Sequence, residues 1–146
     1  MIILGLTGGI GMGKSTAAAA FRRAHIPVFD ADAAVHRMQG RGGKAVRAIA
    51  EAFPGTVRDG EVDRMALRQA VLGKSDALSR LEGILHPMVR QEEQAFVARA
   101  RRHGSRAVVL DIPLLLETGG DKRVDRIIVV SAPRAVQIQR IRAAGV

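Results

Sequence analysis

Residues 2–6 (IILGL) form a short apolar run closed by glycine, the pattern of a strand buried on both faces. The apolar positions then change period. A helix is predicted from about Gly13 through Phe21 to Ala24, and HIPVF at 25–29 predicts a second strand ending at Asp30. Helical spacing governs the next stretch: Ala45, Ile49 and Phe53; Met65, Leu67 and Val71; Leu78, Leu81 and Leu85; Val89, Phe96 and Val97. That makes about 75 residues of mainly helical chain. AVVL at 107–110 and IIVV at 127–130 predict third and fourth buried strands, the first followed by Asp111 and the second by Ser131. Pro133 stands where a helix would start, with the helix itself over 135–144.

Strands separated by helices imply an α/β fold, a parallel sheet with helices on both faces. The helical stretch, about 31–104, reads as an insertion between strands two and three, so that 1–146 form a single domain. No internal repeat, low-complexity tract or flexible linker interrupts it.

Composition narrows the class. A chain of 146 residues with 47% apolar and 25% charged residues can bury a real core, which excludes a disordered or fibrous reading. Its longest apolar stretches, 107–110, 112–116 and 127–130, fall far short of the roughly 20 residues that a membrane span needs. The N-terminus, MIILGLTGG, has no basic n-region and leads into glycines instead of a cleavage site, which predicts a cytoplasmic protein away from membranes. The absence of cysteine excludes disulfides and thiolate metal sites. A net charge of +9 points to an anionic partner. With 3% aromatic residues and no Trp or Tyr, there are few platforms for unpaired bases, so a nucleotide is expected and not a nucleic acid. The densest basic run, ARARRHGSR at 98–106, reads as a solvated helix end.

Between the first strand and the first helix stands GGIGMGKST at 8–16, which contains Gly8-x-x-x-x-Gly13-Lys14-Ser15, the P-loop pattern in its strand-then-helix context. Glycines let successive N–H groups point into one anion-sized hollow at a helix start. Lys14 would reach the β and γ phosphates, Ser15 would ligate Mg²⁺, and Thr16 would add a hydroxyl near the α phosphate. The chain has no asparagine, so the guanine-reading Asn-Lys-x-Asp element is absent and a conventional GTPase is disfavoured. A small-molecule kinase, another nucleotide-gated switch and an inactive descendant remain.

Asp30-Ala31-Asp32 follows the second strand, at the carboxyl edge where ligands of open α/β sheets gather. The two carboxylates suit orienting an acceptor hydroxyl and taking its proton, or positioning metal-bound water; Asp30 alternatively caps the next helix. Asp111 ends the third strand, where a carboxylate holds Mg²⁺ through water in P-loop proteins. Glu117 either faces the same cleft or is exposed. His86-Pro87 reads as an extended kink between helices.

Together these segments resemble the dephospho-coenzyme A kinase family over nearly the whole chain. The resemblance rests on GLTGGIGMGKST at 5–16, Asp30-Ala31-Asp32, DGEVDRMAL at 59–67, LEGILHP at 81–87, DIPLLLE at 111–117, and Gln137 with Arg140. It implies a P-loop NTPase-type kinase that uses ATP and Mg²⁺ to phosphorylate the ribose 3′-hydroxyl of dephospho-CoA, the last step of CoA biosynthesis. By position it implies Asp32 as general base, with Lys14 and Arg140 completing the catalytic set. Gly9, Gly11, Met12, Gly13, Lys14, Ser15 and Thr16 would hold ATP. Asp30, Asp32 and His86 would face the acceptor, and Ser15 with Asp111 the metal. In the family the chain continues past position 146 into an arginine-bearing helical lid, a fifth strand and a final helix. The resemblance therefore implies a partial lid, with Arg142 near the place of a lid arginine, and a fragment or a shortened product. Another small-molecule P-loop kinase, and a nucleotide-binding module without turnover, are the competing expectations.

Overall fold

The computed structural model describes residues 1–8, 13–112 and 120–130. The helix expected over 135–144, with Gln137, Arg140 and Arg142, lies outside the described residues, as do Gly9, Gly11, Met12 and Glu117. The chain divides into two compact units, Met1–Ala31 with Ala95–Val146, and Asp32–Gln94.

The first unit is built on a parallel sheet of four strands: β1 (Ile2–Thr7), β2 (Val28–Asp30), β5 (Ala107–Asp111) and β6 (Arg126–Val129), in the order β2-β5-β1-β6. Side chains alternate between faces along each strand, so the register decides who shares a face. Leu4 pairs with Val109, Leu6 with Asp111 and with Ile128, and Val28 with Val109. Leu4, Leu6, Val28, Val109 and Ile128 therefore lie on one face, where they pack with Ala17, Ala18 and Phe21 of α1 (Lys14–Arg23). On the other face Val108 and Leu110 are buried, and Phe29 meets Phe96 with ring centroids 5.5 Å apart. This is the expected parallel sheet with helices on both faces.

Two strands differ from expectation. His25 and Ile26 belong to the end of α1 and not to β2. His25 takes a left-handed conformation (φ 61°), its N–H donates to Arg22 O at 3.0 Å, and Ile26 N–H donates to Phe21 O at 3.0 Å. This 5→2 and 6→1 pair is a Schellman cap that closes the helix before the strand can start. β6, expected to be buried, is exposed along most of its length, with Val129 65% accessible. Its place at the end of the sheet order explains this: among the described strands it pairs with β1 alone.

The second unit holds α2 (Ala31–Gln39, whose first residue belongs to the first unit), α3 (Val46–Ala52), a hairpin of β3 (Val57–Arg58) and β4 (Glu61–Val62), α4 (Arg64–Val71) and most of α5 (Ser75–Arg102). The hairpin breaks the expected helical run. Asp59 and Gly60 both have positive φ (54° and 78°), which suits the right-handed strand twist of a two-residue loop. Asp63 then starts α4 by accepting from Ala66 N–H at 3.2 Å. Ile49, Phe53, Val62, Leu67, Ala77 and Leu81 are buried, with the Arg80 guanidinium 5.0 Å from the centre of the Phe53 ring. Met65, one of the apolar residues at helical spacing, is 73% exposed. Leu67, two residues on, carries the buried side of α4.

The extended break expected between helices at His86-Pro87 is not found: α5 is continuous through both residues. A proline inside a helix costs about 3 kcal/mol through the lost bond to residue i−4. Here that residue is Gly83, exposed, with open space around its Cα, so its carbonyl can turn to water. Buried Ala77, Leu81 and Glu93 before and after the proline hold the helix in place.

Candidate active site

At the carboxyl edge of the first unit's sheet, β1 ends at Thr7, and the described chain resumes at Gly13. Gly13 is the N-cap of α1 with φ 91° and ψ 17°, a left-handed conformation that a Cβ would strain. It has no side chain to cap the helix and no acidic residue lies in the first turn, so among the described residues no side chain competes with an anion for the leading N–H groups of α1. Lys14, Ser15 and Thr16 follow, the last two exposed.

The Lys14 ammonium meets the Asp111 carboxylate at 2.9 Å (Nζ to Oδ1). The register explains the meeting. Asp111 is paired with Leu6, so it lies on the sheet face that α1 covers, at the end of the strand beside the start of that helix. Both side chains are largely buried, 20% and 11% accessible, so their attraction is less screened than at the surface. Asp30 is paired with Asp111 in the register and is half-buried. Lys14, Asp30 and Asp111, found separately in the sequence, are thus gathered at one edge.

The remaining expected residues lie in the second unit. Asp32 is exposed in the first turn of α2. His86 is exposed in the middle of α5, beside Pro87. Gly9, Gly11, Met12 and Arg140 lie outside the described residues.

The second unit also holds polar residues that the sequence reading passed over. Arg64 Nη1 donates to His36 Nε2, and Arg37 and Lys44 both pair with Glu92, at 3.2 and 3.3 Å. The signal for Arg64 was Asp63 followed by a helical pattern, an N-cap that puts the arginine in the first turn.

Among the described residues no group of three His, Asp or Glu side chains could hold a metal by itself. Mg²⁺ does not require one, since it is usually bound through one or two protein oxygens, substrate phosphates and water. The Ser15 hydroxyl and the Asp111 carboxylate are oxygen donors of that kind and fit such a role. Among the described residues no helix is long and apolar enough to cross a membrane.

Comparison with known proteins gives a consistent picture. The family model for CoaE, dephospho-CoA kinase, matches residues 2–144. A dephospho-CoA kinase of Paramagnetospirillum magneticum is 61% identical over 143 residues, covering 98% of this chain and 68% of that protein. One from Mesorhizobium japonicum is 56% identical, covering 98% and 72%. The crystal structure of TT1252 from Thermus thermophilus superposes with a TM-score of 0.85 at 35% identity, over 99% of this chain and 73% of that one. A dephospho-CoA kinase from Campylobacter jejuni shares the fold, with a TM-score of 0.66 at 16% identity over 98% and 95%.

Proposed function

The chain belongs to the dephospho-CoA kinase family, transferases that use ATP on dephospho-CoA in the last step of CoA biosynthesis, and from that premise we propose how its own residues perform the transfer. The observation that carries the reading is the Lys14–Asp111 pair beside the uncapped, left-handed start of α1.

The leading N–H groups of α1 hold the ATP phosphates, with Gly9, Gly11, Met12, Gly13, Ser15 and Thr16 forming the cradle. Lys14 leaves Asp111 for the β and γ phosphates and neutralises charge as it develops in transfer. Asp111 and the Ser15 hydroxyl would hold Mg²⁺, which would supply further neutralisation of the phosphates. Asp32 accepts the proton of the ribose 3′-hydroxyl as the bond from that oxygen to the γ phosphorus forms and the bond to the β-phosphate oxygen breaks, releasing ADP. Its exposure in the first turn of α2 supports that role, since an acceptor can reach it. Asp30 and His86 orient the acceptor, and Arg140 adds a cation at the transferring group. The two units act as one kinase domain, with 31–104 as the acceptor-binding insertion. Use of ATP supports a cytoplasmic setting.

The experiment is ADP release and CoA formation by the purified chain, with and without dephospho-CoA, and with Mg²⁺ or a chelator. Turnover that needs both dephospho-CoA and Mg²⁺ is expected. ADP release indifferent to dephospho-CoA would overturn the acceptor assignment, and turnover indifferent to chelation would overturn the metal.

A further inference from the structure

The arginines that end α1 and α5 have no task at the carboxyl edge of the first unit's sheet. α1 starts there with Lys14 and, at 1.5 Å per residue, delivers Arg22 and Arg23 about 14 Å away at the amino edge. α5 ends with Arg99, Arg101 and Arg102, and Arg106 stands at the entry to β5, its carbonyl accepting from Ile2 N–H at 3.0 Å. A 3₁₀ turn (Gly120–Arg123) carries Lys122 toward β6, and Arg126 opens that strand. All of these residues belong to the first unit, and the sheet order sets the strand entries side by side over about 15 Å.

Solvated helix ends account for only part of this charge. Cations favour a helix C-terminus because its last carbonyls lack partners, and here backbone N–H groups already supply those partners. Ile26 and His25 donate to Phe21 O and Arg22 O, and Ser105 and Gly104 donate to Ala100 O and Arg101 O, each at 3.0 Å. The cations themselves are exposed, and none of them is in an ion pair among the described residues. The sequence sets only Asp121 and Asp125 against them, and the Asp125 carboxylate accepts from Ile3 N–H at 2.8 Å. Like charges gathered this closely repel one another, a cost that an anionic surface removes.

Two further features select among anions. Ile2 is level with Ala107, next to Arg106, and Ile2 and Met1 are 52% and 38% exposed, so aliphatic surface stands among the cations. The aromatic residues of the chain, Phe21, Phe29, Phe53 and Phe96, are all buried or half-buried, so no exposed ring is offered to an unpaired base. Guanidinium groups spread over several elements around an exposed aliphatic pair fit a broad plane of phosphates with hydrocarbon beneath it. We propose that the amino edge of the first unit docks on the anionic surface of a phospholipid bilayer, its arginines on headgroup phosphates and Met1 and Ile2 in the interface. The planar fork of arginine suits two phosphate oxygens at once. Docking of this kind needs no membrane span, and it leaves the carboxyl edge, with Lys14 and Asp111, turned away from the lipid and open to nucleotide. The proposal stands apart from the kinase reading.

The test is co-sedimentation of the purified chain with vesicles of equal parts phosphatidylglycerol and phosphatidylcholine, and with vesicles of phosphatidylcholine alone. The parent chain should bind the first and not the second, and added salt should release it. Arg22→Gln/Arg23→Gln and Arg101→Gln/Arg102→Gln should each bind about 30-fold more weakly, the effect of two cations lost from the surface. Arg47→Gln/Lys74→Gln, exposed positions of the second unit with the same loss of net charge, should bind as the parent does. Ile2→Ser should weaken binding and leave its salt dependence unchanged. The edge variants replace exposed side chains, so their melting temperatures, and their turnover without vesicles, should match the parent's. Binding indifferent to phosphatidylglycerol, or an equal loss in the edge variants and the Arg47/Lys74 control, would overturn the docking surface. Retention on a DNA duplex at a salt concentration that strips the vesicles would overturn the lipid and reassign the edge to nucleic acid.

Discussion

The first residue of α1 and the last residue of β5 form an ion pair, Lys14 Nζ to Asp111 Oδ1 at 2.9 Å, because strand order sets β5 directly beside β1. The pair keeps two largely buried charges matched in the absence of nucleotide. It also leaves Lys14 within reach of a phosphate at the start of its own helix.

Replacing Lys14 by alanine therefore has two consequences that can be read separately. Turnover should fall by about 10²–10³, the usual effect of removing one group that stabilises transition-state charge. Stability should fall by about 1–3 kcal/mol, because Asp111 keeps its burial and loses its partner. The double variant Lys14→Ala/Asp111→Ala should be less unfolded than the sum of the single variants. Strict additivity in thermal melts would show that the pair contributes nothing to the fold.

Asp32→Asn keeps the size of the side chain and removes its capacity to take a proton. Turnover should drop by about 10²–10⁴, as for loss of a general base. ATP affinity measured by calorimetry should be unchanged, since the residue addresses the acceptor. A parallel loss of ATP affinity would reassign Asp32 to the donor side.

The edge that gathers Lys14, Asp30 and Asp111 was only half legible in the sequence. The residues at 2–6 and 107–110 announce strands because no charge interrupts them, and the glycines after the first announce the turn. What spacing cannot give is the register. Asp111 faces Lys14 because it is level with Leu6, on the face that α1 covers, and a slip of one residue would send it to the other face. The hairpin at 57–62 was missed since two-residue strands are too short to show an alternating period, although Asp59-Gly60 is a strong turn signal. His25 was misplaced because a left-handed cap can be filled by residues other than glycine or asparagine. Pro87 misled in the opposite direction, where packing along a 28-residue helix outweighs a local penalty.

Asp63 holds the start of α4, in the unit proposed to bind the acceptor. Its carboxylate caps α4 through Ala66 N–H at 3.2 Å and stands 3.6 Å from Arg58 Nε, so Asp63→Ala should cost about 1 kcal/mol, chiefly the cap. Fraying the first turn of α4 also loosens Arg64. KM for dephospho-CoA should rise while KM for ATP stays, and Asp63→Asn or Asp63→Ser, which can still cap, should restore both stability and KM. A rise in KM for ATP would show that α4 is coupled to the donor site.

Gly40 and Gly43 border the turn that leads from α2 to α3, and they should respond differently to the same substitution. A Cβ on Gly43 would fall against the carbonyl oxygen of Met38 and 2.5 Å from its carbonyl carbon. That oxygen already accepts from Ala45 N–H at 3.1 Å, and Gly43 itself donates to Gly40 O at 2.9 Å, so the backbone cannot yield without breaking the turn. Gly43→Ala should destabilise the chain by about 1–3 kcal/mol, the range for overpacking. A Cβ on Gly40 would meet its nearest atoms, the carbonyl oxygens of Arg37 and His36, at 3.5 Å, ordinary contact. Gly40→Ala should be neutral or slightly stabilising, because it narrows the unfolded ensemble. Equal melting temperatures for the two variants would mean that the turn has freedom its hydrogen bonds do not suggest.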